Sequence, residues 1–374
     1  DQPTKFHDIV AWNFKDKLVE AGVDNKAATI DLNGDISATQ NVTLDGNVTL
    51  SGTADAITAT NGTITVNGNI TGADSDLVLS ADTATVSGNA SDTTPTWTVN
   101  SIDTTGIGIM TLTAATAITA DAADGGGTAI ELGQLAGDYT LTLTASDNTN
   151  GDVILNAANI FALALQDAVD VTFSQDFQTN GSVTVNTAIT GTITVTGSIV
   201  ADAAVTLANN AAGGIDINGP VTGATGITMA ATQGNVAIDA DVASSGDGQI
   251  DIDATAGNVN IAQASAATVS SVNGEIDLLA GTSILLGAAG QAGEITTTGT
   301  GLIDLNATTA FTMANASSKV TSGGAIDIDP DTVTIAGEGL EAVGNITVDA
   351  TDTIQVNGVV NSTSGSVALS VNDT

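Results

Sequence analysis

The pattern Gly-x-apolar-x-apolar, with Val, Ile or Leu in the apolar places, recurs along the whole of this 374-residue chain. It starts at Gly46, Gly62, Gly151, Gly181, Gly191, Gly213, Gly234, Gly248, Gly257, Gly274, Gly301, Gly324, Gly344 and Gly365. From Gly213 onward, passing over the near-duplicate at Gly248, the intervals are 21, 23, 17, 27, 23, 20 and 21 residues. A glycine followed by a strand of alternating apolar residues, repeated about every 20 residues, predicts a coil that buries its inner face only by stacking on its neighbours. The residue between the two apolar places should point outward, because side chains alternate along a strand. It reads Thr49, Thr65, Ile154, Thr184, Thr194, Asp216, Ala237, Asp251, Asn260, Asp277, Asp304, Asp327, Thr347 and Ala368. Only Ile154 among these is neither polar nor Ala, so the inside and outside of the coil can be assigned independently of the spacing.

Composition agrees with an all-β chain. Thr, Val, Ile and Gly are abundant and aromatic residues make up only 2%. The charge balance is 5 Lys plus Arg against 42 Asp plus Glu, a net charge of −37. Such a surface repels phosphate backbones and anionic lipid headgroups, which argues against nucleic-acid and membrane-surface partners and toward divalent cations. There is no Cys, so neither disulfides nor thiolate metal sites hold the fold. No apolar run reaches the roughly 18 residues of a transmembrane helix, so no membrane insertion is expected.

Residues 1–27 differ from the rest of the chain. They hold Lys5, Lys15, Lys17 and Lys26, the sole histidine His7, and the aromatics Phe6, Trp12 and Phe14. Phe6, Val10, Phe14 and Leu18 lie on one i, i+4 row between Pro3-Thr4 and Gly22, which predicts a short amphipathic helix. Two readings of it stand side by side: a cap that shields the first coil, or a docking arm that enters a neighbouring subunit through Phe6, Val10, Trp12, Phe14 and Leu18. Residues 28–374 are expected to form the solenoid. Its spacing loosens over about 96–180, where Asp124-Gly125-Gly126-Gly127-Thr128 reads as a flexible turn, and is cleanest from 181 onward.

If the late coils stack in sequence, Asp251, Asp277, Asp304 and Asp327 form a carboxylate column, with Asp253 and Asp329 pointing the same way. Oxygen-rich clusters of this kind suit Ca²⁺. The competing reading is a solvated acidic face that maintains solubility. Catalysis has little to work with: one imidazole, no thiol and no phosphate-binding glycine loop rule out the usual nucleophile systems. A carboxylate-only glycosidase remains conceivable, but the absence of Arg and the few aromatics count against it, and no enzyme is expected.

The run of Gly-Asn-Val-Ala-Ile-Asp at 234, Gly-Gln-Ile-Asp-Ile-Asp at 248, Gly-Glu-Ile-Asp-Leu-Leu at 274 and Gly-Asn-Ile-Thr-Val-Asp at 344 resembles the repeats of filamentous-haemagglutinin-like adhesins and autotransporter passengers. The resemblance covers residues 30–374 as a repeat style rather than a defined motif. It implies a right-handed parallel β-helix (β-solenoid), export to the cell surface, and adhesion or assembly as the role. No Asn-Pro-Asn-type signature or aromatic-ended barrel accompanies it. The expected architecture is therefore an all-β right-handed parallel β-helix with a short N-terminal helical segment. The expected role is a non-enzymatic extracellular subunit that polymerises head to tail. The alternatives are a monomeric adhesin passenger that binds cell surfaces or glycans and, third, a polysaccharide-acting enzyme.

Overall fold

A computed structural model describes residues 4–6, 11–14, 18–20 and 23–25 as backbone, and residues 29–87, 94–120, 128–146 and 151–372 in detail. The described residues contain 45 strands, and every pairing between named strands is parallel. Each strand hydrogen-bonds to the strand three places further along the chain through most of the length. Three strands therefore make one coil, and like strands stack into three faces. This is a parallel β-solenoid. The chain divides into two compact units, Asp1–Asn180 and Gly181–Thr374.

In the second unit one face, called A here, stacks Val183–Ile189, Ala204–Asn209, Gly226–Ala231, Ile250–Ala254, Ile276–Ala280, Ile303–Ala307, Ile326–Asp329, Ile346–Ala350 and Val367–Val371. Its register makes continuous inner columns, such as Ile252, Leu278, Leu305, Ile328, Val348 and Leu369. The next face, B, stacks Thr192–Val195, Gly214–Ile217, Val236–Ile238, Val259–Ile261 and Ser283–Leu286. The motif chain traced in sequence from Gly213 therefore changes face. Gly213, Gly234 and Gly257 open strands of face B, whereas Gly274, Gly301, Gly324, Gly344 and Gly365 open strands of face A. Gly248 is the face-A partner on its own coil and not a duplicate. The short interval of 17 residues marks the change of face.

All the motif's apolar places are buried from Val48 and Leu50 to Ile346 and Val348, with none more than 5% exposed. The glycines serve close approach more than unusual backbone angles. Among the motif glycines only Gly46 has a positive φ. A Cβ on Gly324 would stand 2.6 Å from the Gly301 oxygen, and one on Gly344 2.8 Å from the Gly324 oxygen. Backbones of successive coils touch at this corner, and any side chain would push them apart. Elsewhere Asn side chains close the corners. Asn47 Oδ1 accepts from Asn69 N at 3.2 Å, and Asn69 Oδ1 accepts from Thr96 N at 2.7 Å. Each supplies a partner to a backbone donor that a turn would otherwise leave unpaired.

The expected N-terminal helix is replaced by strands. Thr4–Phe6, Ala11–Phe14 and Leu18–Glu20 pair with Val23–Asn25, Thr29–Leu32 and Ile36–Ala38 of the following coil. Trp12 stands in register with Ile30, Phe14 with Leu32, and Leu18 with Ile36. A helix this short is marginal in water, whereas the edge of an existing coil offers hydrogen-bond partners to the backbone groups that face it. Trp-Asn-Phe is equally a period-2 pattern, and the edge decides between the two periods. Val10 and residues 124–127 of the expected turn lie outside the described residues, and Thr128 at its end opens the strand Thr128–Leu132. Across 96–180 the parallel pairing continues, with register shifts between Thr128 and Ile130 and between Leu143 and Thr144.

Candidate functional site: an acidic column and an open coil

Face A carries the carboxylate column. Asp251 pairs in register with Asp277, Asp277 with Asp304, and Asp304 with Asp327. The same outer row reads Thr184, Thr206 and Thr228 on the preceding coils and Thr347 and Ala368 on the later ones. Four carboxylates thus stand one above the other at the strand spacing of about 4.8 Å. Asp253 and Asp329 occupy the adjoining outer row, but Leu279 and Asn306 separate them.

The four column side chains, Asp251, Asp277, Asp304 and Asp327, are half-buried between their neighbours, and burial raises the pKa of each. For Asp251 the charges of Asp277 and Asp253 add to the effect, and for Asp277 that of Asp253. Asp304 is pushed up to about 6, first by burial and then by Asp277, Asp327, Asp329 and Glu275. Burial and Asp349 raise Asp327, and burial with Asp327 and Asp349 raises Asp329. Asn306 Nδ2 donates to Asp304 Oδ1 at 2.8 Å, and Thr255 Oγ1 lies 3.2 Å from both Asp253 oxygens. Among the described residues no group of three or more His, Cys, Asp or Glu side chains is arranged to hold a metal ion. The carboxylates form a file and do not converge on a point. Asp349 and Glu275 belong to this acidic surface and are absent from the motif-based set: Asp349 fills the same motif place as Asp253 and Asp329 but follows Thr347 in place of an Asp, and Glu275 precedes the first apolar place.

The coil formed by Thr353–Val356, Val360–Ser362 and Val367–Val371 is the last among the described residues. Among the described residues each of its strands pairs on one side only, with the coil before it. Val367, Leu369 and Val371 continue columns in which Ile346, Val348 and Ala350 are fully buried, yet they are 43%, 44% and 47% exposed. Val356 and Val359 are exposed beside them. The described first coil, Thr4–Phe6, Ala11–Phe14 and Leu18–Glu20, is likewise paired on one side only among the described residues. Of the residues expected at an assembly interface, Phe6, Trp12, Phe14 and Leu18 lie in these strands.

Compared with models of known protein families, with curated proteins and with solved structures, the chain matches none. No helix among the described residues is long and apolar enough to cross a membrane.

Proposed function

We propose that this chain is a non-enzymatic, extracellular structural protein that assembles end to end. The observation that carries this reading is the coil at 353–371, whose aliphatic column is uncovered and whose strands pair on one side only among the described residues. A parallel strand edge with its backbone groups unpaired and its aliphatic column uncovered is a template for one more parallel coil. Covering a large aliphatic side chain completely is worth about 1.5–3 kcal/mol, and this coil presents several at once. The first coil of a second copy has the complementary form: three short strands, each with one edge unpaired among the described residues.

Charge supports the same pairing. Residues 1–27 hold four of the five Lys against five Asp plus Glu, and residues 353–371 hold no charged residue, so neither coil is strongly acidic although the chain is. Two strongly acidic ends would repel, whereas this pair would not. Contacts between unlike surfaces that do not close on themselves build filaments. The repeat style, which resembles that of filamentous-haemagglutinin-like adhesins, fits export to a cell surface.

Negative-stain electron microscopy of the intact chain tests the proposal. Filaments are expected for the parent and single particles for Leu369→Asp, which places a charge in the open column. Single particles for the parent at every concentration, or filaments that Leu369→Asp leaves unchanged, would overturn it.

A further inference from the structure

The first unit carries a second surface, independent of any coil edge. From Asp103 to Met110 the chain takes seven steps, whereas their in-register partners Glu131 and Leu135 are only four steps apart. The longer corner overhangs the shorter corners of the next coils. Under it lies a cleft of about 400 Å³.

The cleft is rigidly built. Thr104 is fully buried and its Oγ1 accepts from Gly133 N at 3.0 Å. A Cβ on Gly133 would stand 2.7 Å from the Thr104 oxygen, so the floor admits no side chain there. Asn156 donates through Nδ2 to Leu132 O at 2.9 Å and accepts from Ser174 Oγ at 2.6 Å. The corner bearing Gln175 is fixed at both ends by Phe173 and Phe177, whose rings meet edge to face at 5.3 Å in the core. Glu131, Gln134 and Gln175 line this cleft, and their side chains have no hydrogen-bond partner among the described residues.

On the same two coils, past the short strands Leu135–Ala136 and Ala158–Ile160, Tyr139 and Phe161 follow one above the other. Phe161 N donates to Tyr139 O at 3.2 Å. Their side chains are 43% and 45% exposed, whereas Trp97, Phe173, Phe177 and Phe311 are all fully buried. Tyr139 and Phe161, both exposed, thus fall on adjacent rungs. Gln134 and Tyr139 are five residues apart, a reach of at most about 18 Å.

We propose that this cleft and the Tyr139–Phe161 pair together bind a neutral polysaccharide. Two unpaired amides and a carboxylate offer donors and acceptors of the kind sugar hydroxyls require, and a fixed floor keeps the ordering cost low. The aromatics supply flat apolar faces for the C–H faces of sugar rings. With a net charge of −37 and no basic residue in the cleft lining, an acidic glycan would be repelled. The proposal does not depend on end-to-end assembly.

Biosensor surfaces coated with mannan, xylan, mixed-linkage β-glucan or alginate would be exposed to the full chain. Binding to at least one neutral coating and none to alginate is expected. Tyr139→Ala/Phe161→Ala and Gln134→Ala/Gln175→Ala, all at exposed positions, should each weaken it by about tenfold or more, while Thr312→Ala on the second unit leaves it unchanged. No binding to any neutral coating, stronger binding to alginate, or equal loss in the Thr312 control would overturn the proposal. So would binding that either double variant leaves intact.

Discussion

Asp277 and Asp304 stand directly in register on adjacent parallel strands, and the Asp277 charge is one of the forces that push the Asp304 carboxyl up to about 6. Like charges directly opposite one another in a sheet destabilise it. The column is therefore a place where the fold tolerates a cost.

Its pH dependence is set by the sign of the shifts. A carboxyl whose pKa is raised in the folded state binds its proton more tightly there than in the unfolded chain, so protonation favours folding. Stability should be greatest near and below the ordinary carboxylate range and should fall as pH rises from about 4 through about 6. Asp304→Asn removes the largest contributor. The variant should be more stable than the parent at pH 7, equal to it near pH 4, and flatter between, as read by denaturant unfolding across that range. A variant less stable at pH 7 would show that Asp304 is held by a favourable partner.

Two glycines with similar backbone angles should respond differently to alanine. Gly290 has φ +86° and open space where a Cβ would go, whereas Gly214 has φ +78° and the backbone oxygen of Asn235 in that space. Gly290→Ala should cost only the left-handed strain, about 1–2 kcal/mol. Gly214→Ala carries the same strain and also forces two coils apart, so it should cost clearly more. Melting temperatures of the two variants measured together would decide. Equal shifts would mean that the coils move aside freely.

Much of this was legible from residues in isolation, because a period-2 pattern with a polar middle place assigns the inside and outside of any strand. The Asp251–Asp327 column was legible for the same reason: each Asp fills the same place of the same motif. The face on which a motif lies was not, since faces A and B use one vocabulary, and only the pairing separates Gly257 from Gly274. The first coil was misread because Phe6, Phe14 and Leu18 satisfy a helical spacing, whereas what decides their conformation is the strand edge beside them. Glu131, Gln134 and Gln175 share no spacing at all. The unequal corner lengths of successive coils bring them together, and such lengths become visible only once the register is known.

Corner asparagines should be worth more than their exposure suggests. Asn258 Oδ1 accepts from Thr282 Oγ1 at 2.8 Å and from Ser283 N at 3.2 Å, while Asn258 N donates to Asn235 Oδ1 at 2.8 Å. Asn258→Ala leaves the half-buried Ser283 donor without this acceptor, at a cost of about 1–3 kcal/mol. Asn258→Asp keeps an acceptor and should cost less. Hydrogen exchange at Ser283 should speed up in the Ala variant and change little in the Asp variant. Unchanged exchange in both would mean that water replaces the side chain at no cost.

The sharpest test compares two leucines of one column. Leu305 and Leu369 occupy the same inner row of face A, three coils apart, but Leu305 is fully buried and Leu369 is 44% exposed. Leu305→Ala should cost about 2–5 kcal/mol, because it opens a cavity among fixed neighbours. Leu369→Ala leaves no cavity in a single molecule and should cost less than about 1 kcal/mol in dilute solution. If a second copy covers the open coil, the stability of the parent rises with protein concentration by mass action, and the Leu369 variant loses part of that gain. The gap between parent and Leu369→Ala should therefore widen as concentration rises, while the gap for Leu305→Ala, which is already present in the single molecule, persists at every concentration. Denaturant midpoints over a roughly hundredfold concentration range would show it. A gap for Leu369→Ala that does not depend on concentration would mean that nothing in solution covers the coil.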